Sequence, residues 1–190
     1  MNMIRPLASL PLLFLASAAA SADTFEYRVL ATTKTSTMER ELNEAAEAGY
    51  AFSAVMGGNT ASAGSEVVVV MAKLPAGSPR RSYKLLATNR TSTMQKEMQQ
   101  LGEEGYDYKG QTIFSSTFGG REVSVIMERQ DSAAKARILF KLQATSRTST
   151  LQKELNQAGA DGYEVVGLTV ANTAVGGNEL VSILRKKTLG

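Results

Sequence analysis

Apolar positions along this chain change period at regular intervals. In YRVLATT, residues 27–33, Tyr27, Val29 and Ala31 fall on one face and Arg28 and Thr32 on the other, the alternation of a half-buried strand. YKLLATN and FKLQATS repeat it at residues 83–89 and 140–146. A spacing near 3.6 follows each strand. Met38, Leu42 and Ala45 form one apolar stripe, matched by Met94, Met98 and Leu101 and then by Leu151, Leu155 and Ala158. This predicts a helix of three to four turns, and Gly49, Gly105 and Gly162 just beyond the stripes suit left-handed C-terminal stops. Two more strands are predicted after each helix, for example YAFSAVMG (50–57) and EVVVVMAKL (66–74), joined by links such as SSTFGG and NTAVGG. The last strand is the most continuously apolar, which favours the central place and a sheet order of 1-3-2.

The three segments are copies of one unit. Gly49, Gly105 and Gly162 each precede a tyrosine at spacings of 56 and 57 residues, and Gly64, Gly120 and Gly177 keep the same offsets. Units 27–74, 83–130 and 140–187 align without a gap, and the connectors 75–82 and 131–139 carry the only length difference. The predicted class is α+β: three tandem β-α-β-β repeats, with repeat 1 taken as 23–74 to include the start of the mature chain. One such unit buries too little to be comfortable alone. Its sheet keeps a second apolar face, carrying Val68, Val70, Ile126 and Ile183 in the different copies. Packing the units together would cover those faces, and a three-fold pseudo-symmetric body is the expected arrangement.

The first 22 residues read as a leader. Arg5 is the only charge before Asp23, an apolar run from Leu7 to Ala20 follows, and Ala20-Ser21-Ala22 offers a cleavage site after Ala22. A run of this length, interrupted by Pro11, is short for a membrane span, and no later segment approaches one. A periplasmic or secreted location is expected. The remaining 168 residues carry a formal charge of +2, the +3 of the whole chain less Arg5. That balance gives no electrostatic argument for nucleic acid. There is no cysteine and no histidine, so disulfides, histidine-based triads and His/Cys zinc sites are excluded.

In the third copy, KLQATS, LQKELNQAGADGYEVVGLTV and LVSILRKK together resemble the small bacterial domain family of unknown function numbered 4177. The family pattern has an opening aromatic-Lys strand, a helix ending in Leu-Asn-x-x-Gly-x-x-Gly plus an aromatic, a Glu-Val-Val strand and a basic final strand. The likeness covers most of units two and three and unit one more loosely. Tyr50, Tyr106 and Tyr163 stand where the family more often has tryptophan, and Ala46 replaces the first glycine in unit one. The resemblance implies the β-α-β-β fold and carries no activity, substrate or catalytic residue.

Candidate chemistry centres on a Thr-Ser-Thr triplet behind a base. Ser36 with Glu39, Ser92 with Gln95 and Ser149 with Gln152 have capping-box spacing, which would account for each serine. The neighbours leave a second reading open. Lys34, Thr35, Ser36 and Thr37, with Arg90, Thr91, Ser92 and Thr93 and with Arg147, Thr148, Ser149 and Thr150, could hold a carboxylate or phosphate at helix N-termini. Convergence of the three on one axis would make a site for a polyanion.

The repeated aromatics Tyr27, Tyr83 and Phe140, and Tyr50, Tyr106 and Tyr163, could stack on a sugar but fit better as core-edge residues. Gly102 and Gly159, opposite Ala46, lie inside helices, where glycine costs about 1 kcal/mol against alanine. Close approach of helix to sheet would compensate. Glu103, Glu104 and Asp161 read as solvated, and none of the hairpin links forms a phosphate-binding motif.

The functional expectation is an exported, non-enzymatic binding or interaction module, with an unidentified protein or a small anionic ligand as partner and with no cofactor, metal or nucleic acid. An assembly protein working through exposed strand edges is the alternative, and a small hydrolase without His or Cys stands behind both.

Overall fold

A computed structural model describes residues 24–61, 64–116, 120–131, 137–172 and 178–188. The leader and much of the three hairpin links lie outside the described residues. Each predicted unit forms as expected. Repeat 1 comprises β1 (Tyr27–Thr32), α1 (Thr35–Glu47), β2 (Tyr50–Thr60) and β3 (Gly64–Lys73). Repeat 2 comprises β4 (Arg81–Thr88), α2 (Thr91–Glu103), β5 (Asp107–Ser116) and β6 (Gly120–Gln130). Repeat 3 comprises β7 (Arg137–Thr145), α3 (Thr148–Ala160), β8 (Glu164–Asn172) and β9 (Asn178–Thr188). The sheets are antiparallel with orders β1-β3-β2, β4-β6-β5 and β7-β9-β8, so the apolar last strand is central in every copy.

The helix stops are as the spacing predicts: Gly49, Gly105 and Gly162 have φ of 84°, 86° and 83°. Side chains cover the helix ends behind them. Lys73 Nζ donates to the Ala48 carbonyl at 2.5 Å and lies over the Tyr50 ring, and Lys186 Nζ donates to Asp161 O at 2.8 Å beside Tyr163. In repeat 2 the guanidinium of Arg129 sits over Tyr106 instead. Cations here also suit the negative end of the helix dipole.

The helix stripe closes one face of its own sheet. Met38, Leu42 and Ala45 pack with Val67, Val69 and Met71, and Met94 and Met98 with Val125 and Met127. These cores are finished by the next repeat. Tyr83 and Ile126 of repeat 2 belong to the first core, and Ile138, Phe140 and Ile183 of repeat 3 belong to the second. The back face of each sheet therefore lies on the helix face of the sheet before it.

Strands β2 and β5 pack directly, as do β5 and β8, while α1 packs on β4 and α2 on β7. The units thus make one body, but the three-fold arrangement expected from the repeats does not close. Its two interfaces run in the same direction. Among the described residues nothing covers the helix face of repeat 3 or the back face of repeat 1, so Val68 and Val70 are only half-buried where Ile126 and Ile183 are buried.

Candidate functional site

The Thr-Ser-Thr triplets open the helices, but not as capping boxes. The N-cap residues are Lys34, Arg90 and Arg147, in extended conformation, and none makes a side-chain cap hydrogen bond. Ser36, Ser92 and Ser149 fall inside the first turn. The turn is held one step earlier, where Thr32 and Thr88 Oγ1 accept the Lys34 and Arg90 N–H groups at 3.1 Å, and Thr145 accepts from Arg147 at 3.4 Å. The helix starts lie in different surroundings. Thr35 and Ser36 line a cleft with Leu85 of repeat 2, whereas Arg90 and Thr91 line another with Leu142 and Thr169 of repeat 3.

Glu39 and Gln95 are turned away from their own helix ends to the neighbouring repeat. In an antiparallel edge strand every second residue points its N–H and C=O outward, without a ladder partner. Side chains of the preceding helix take up those groups on β4 and β7. Asn43 Oδ1 accepts the Tyr83 N–H at 2.9 Å and its amide donates to Tyr83 O at 3.0 Å. Glu39 accepts the Leu85 N–H at 3.0 Å and pairs with Lys84 at 3.0 Å, which raises the Lys84 ammonium's pKa. In repeat 2, Gln99 accepts the Phe140 N–H at 3.0 Å, while Gln95 accepts from Leu142 at 2.6 Å and donates to Phe140 O at 2.8 Å. The same two helix positions thus clamp the same two strand positions at both interfaces.

Beside the clamp, helix and strand approach closely. A Cβ on Gly102 would lie 2.2 Å from the Ile138 carbonyl oxygen and 3.0 Å from the Phe140 ring. The compensation expected for this glycine is therefore contact with the next repeat's strand. A second close contact joins the neighbouring strands. A Cβ on Gly110 would meet Phe52 at 2.8 Å, and one on Gly167 would meet the Tyr108 hydroxyl at 2.8 Å. Each contact abuts a β-bulge, which occurs at Phe52/Ala54, Tyr108/Gly110 and Val165/Gly167.

Several polar groups inside these interfaces are paired. The Tyr83 hydroxyl accepts the Phe52 N–H at 2.9 Å and donates to Glu128 at 2.5 Å. Burial, then the bond to Glu128, drives its pKa far above the ordinary value. Glu128 also meets Lys109 at 3.0 Å and Arg81 at 3.5 Å. Between repeats 2 and 3, Arg185 bridges Asp107 and Glu164, each at 2.7 Å. Burial alone would raise the Asp107 carboxyl. Hydrogen bonds from Arg185 and Lys187 outweigh it and hold the group below its ordinary 3.8. Among the described residues no group of three His, Cys, Asp or Glu side chains could hold a metal ion, and no helix is long and apolar enough to cross a membrane.

Both halves of this interface recur, unused, at the ends of the stack. On α3, Gln152 and Asn156 occupy the clamp positions, are exposed, and among the described residues bond only to each other at 3.1 Å. Gly159, the counterpart of Gly102, has nothing among the described residues within 4 Å of where its Cβ would lie. At the other end, Tyr27 is 56% exposed where its counterparts Tyr83 and Phe140 are 1% and 3% exposed. Every large apolar side chain that is exposed among the described residues lies on these two surfaces: Phe25, Tyr27, Val29 and Met56 at one end, Val165, Leu168 and Val170 at the other. Sequence periodicity separates the faces of each element but does not reveal which copy lacks a neighbour.

No family model matches the chain, and neither a curated protein nor a solved structure does.

Proposed function

We propose that the protein is an exported, non-catalytic interaction module whose binding surface is a strand clamp, formed by α3 and the adjoining face of β8. Its ligand class is an extended polypeptide strand with apolar residues at alternate positions. One observation carries this reading. The two helix positions that hold a strand at the internal interfaces, Glu39 with Asn43 and Gln95 with Gln99, recur on α3 as Gln152 and Asn156, and Gly102 of the second interface recurs as Gly159, with no strand against them among the described residues. Recognition is divided between two sets of groups. Main-chain groups of the strand meet the side-chain amides, as in other modes where backbone hydrogen bonding supplies affinity. Alternate side chains of the strand enter the apolar surface of Val165, Leu168 and Val170. The leader-like opening around Arg5 and the Leu7–Ala20 run supports export.

The test uses a labelled peptide with the β7 sequence RILFKLQAT, the strand that α2 already holds. It is titrated by fluorescence anisotropy into the double variant Tyr27→Asp/Val29→Asp, whose β1 cannot serve as a competing strand. Saturable binding that disappears on adding Gly159→Leu is expected. Absence of binding up to millimolar peptide would overturn the reading.

A further inference from the structure

The strand clamp at one end of the molecule faces a question that the other end answers. We propose that the strand it takes is β1 of a second copy, so that the protein assembles head to tail through a third version of its own internal interface. This rests on the strand-clamp reading and adds the identity of the partner.

Three correspondences support a second copy. First, the positions on β1 match those already clamped: Tyr27 and Val29 stand where Tyr83 and Leu85, and Phe140 and Leu142, stand in the later repeats. Among the described residues no side chain hydrogen-bonds the outward groups of Tyr27 or Val29, whereas Asn43 and Glu39, and Gln99 and Gln95, serve their counterparts.

Second, the close contact at Gly102 is with Ile138 O and the Phe140 ring. The homologous groups for Gly159 are the Phe25 carbonyl and the Tyr27 ring, both on the exposed end of repeat 1. A glycine that weakens α3 and touches nothing among the described residues of its own chain would have a contact in the next one.

Third, the bulge contacts are size-matched. Large Phe52 and Tyr108 face Gly110 and Gly167, where a Cβ has no room. At the open ends the pair would be Val165 and Ala54, a smaller side chain on one surface facing a larger residue on the other. The Tyr27 hydroxyl would meet the Val165 N–H at the β8 bulge as Tyr83 meets that of Phe52.

The two surfaces differ, so the contact is heterologous and propagates into a ring or a filament. Contiguous exposed apolar surface of this kind is a usual mark of an interaction site.

Sedimentation velocity on the purified protein over a range of concentrations tests this, with two variants. Gly159→Leu spoils the clamp, and Tyr27→Asp/Val29→Asp spoils the strand. Both sites are exposed in the single chain, so each variant should keep the wild-type circular dichroism spectrum. The wild type should form concentration-dependent species larger than one chain, and each variant alone should remain a single chain. Mixed one to one, the variants retain one good interface between them and should give a two-chain species and nothing larger.

A wild type that stays a single chain at every concentration overturns the proposal. So does an oligomer that neither variant affects, or a mixture that stays monomeric. If the chain is monomeric but the β7 peptide binds, the strand-clamp reading stands and the second copy is excluded as its ligand. If neither occurs, both fall.

Discussion

Gly102 and Gly159 occupy the same position in successive helices, so alanine at each changes the same local propensity and differs only in what surrounds it. At Gly159 nothing among the described residues lies within 4 Å of the new methyl carbon. Gly159→Ala should therefore recover the ordinary helix-propensity gain of about 1 kcal/mol. For a chain of this size that is a rise of roughly 2–4 °C in Tm. At Gly102 the same gain is set against a methyl carbon 2.2 Å from the Ile138 carbonyl oxygen and 3.0 Å from the Phe140 ring. Backbone cannot yield as a flexible side chain does. The expected overlap cost is at the upper end of the ~1–3 kcal/mol typical of overpacking or beyond it. Gly102→Ala should thus be destabilised by about 2 kcal/mol or more net, the overlap cost less the propensity gain. Urea and thermal unfolding followed by circular dichroism, at dilute protein where a single chain predominates, measure both. Equal shifts of the same sign would refute the close approach of α2 to β7, and with it the account of how the repeats are joined.

Other outcomes follow from the same contacts. Gln95→Ala removes the partners of the Leu142 N–H and the Phe140 carbonyl and should cost about 2 kcal/mol, whereas Gln152→Ala should lie within about 0.5 kcal/mol of wild type in the single chain; equal effects in urea titrations would contradict the clamp. Ser92→Ala should likewise stay within about 0.5 kcal/mol, because that serine makes no cap bond; a loss near the ~1 kcal/mol of a true N-cap would show that it does. Tyr83→Phe strands the Phe52 N–H and removes a donor to Glu128, so a loss of about 1–3 kcal/mol is expected. The Asp107 carboxyl is held below its ordinary value in the folded chain. Its contribution is present above the unfolded carboxylate pKa and is lost as pH falls through the folded one. The stability gap between wild type and Asp107→Asn should accordingly shrink below about pH 4, and a gap independent of pH would exclude the ion pairs as its source.

Much of the fold is legible in the sequence. Alternation in YRVLATT, the stripe of Met38, Leu42 and Ala45, and a glycine at 49, 105 and 162 are local signals, each set by a backbone period or a positive φ that side-chain chemistry imposes. The central place of the third strand followed from its continuous apolar run. The capping boxes did not survive in any copy, because each helix starts with Lys34, Arg90 or Arg147 as N-cap, two residues before the serine, and Glu39 and Gln95 serve instead the unpaired groups of a strand about 45 residues away. Spacing alone does not distinguish those uses.

The chain itself specifies three equivalent units, each with a helix face, a back face and a free strand edge, because periodicity, turn residues and burial demands are encoded within about fifty residues. It does not specify what those faces meet. Tertiary structure decides that the back face of each unit closes the core of the one before, and that the third does not return to the first. The physical reason is that two packing steps of the same hand leave one strand edge and one helix face unmatched. Tyr27 and Tyr83 thus carry the same side chain at the same place in the repeat, one exposed and the other buried.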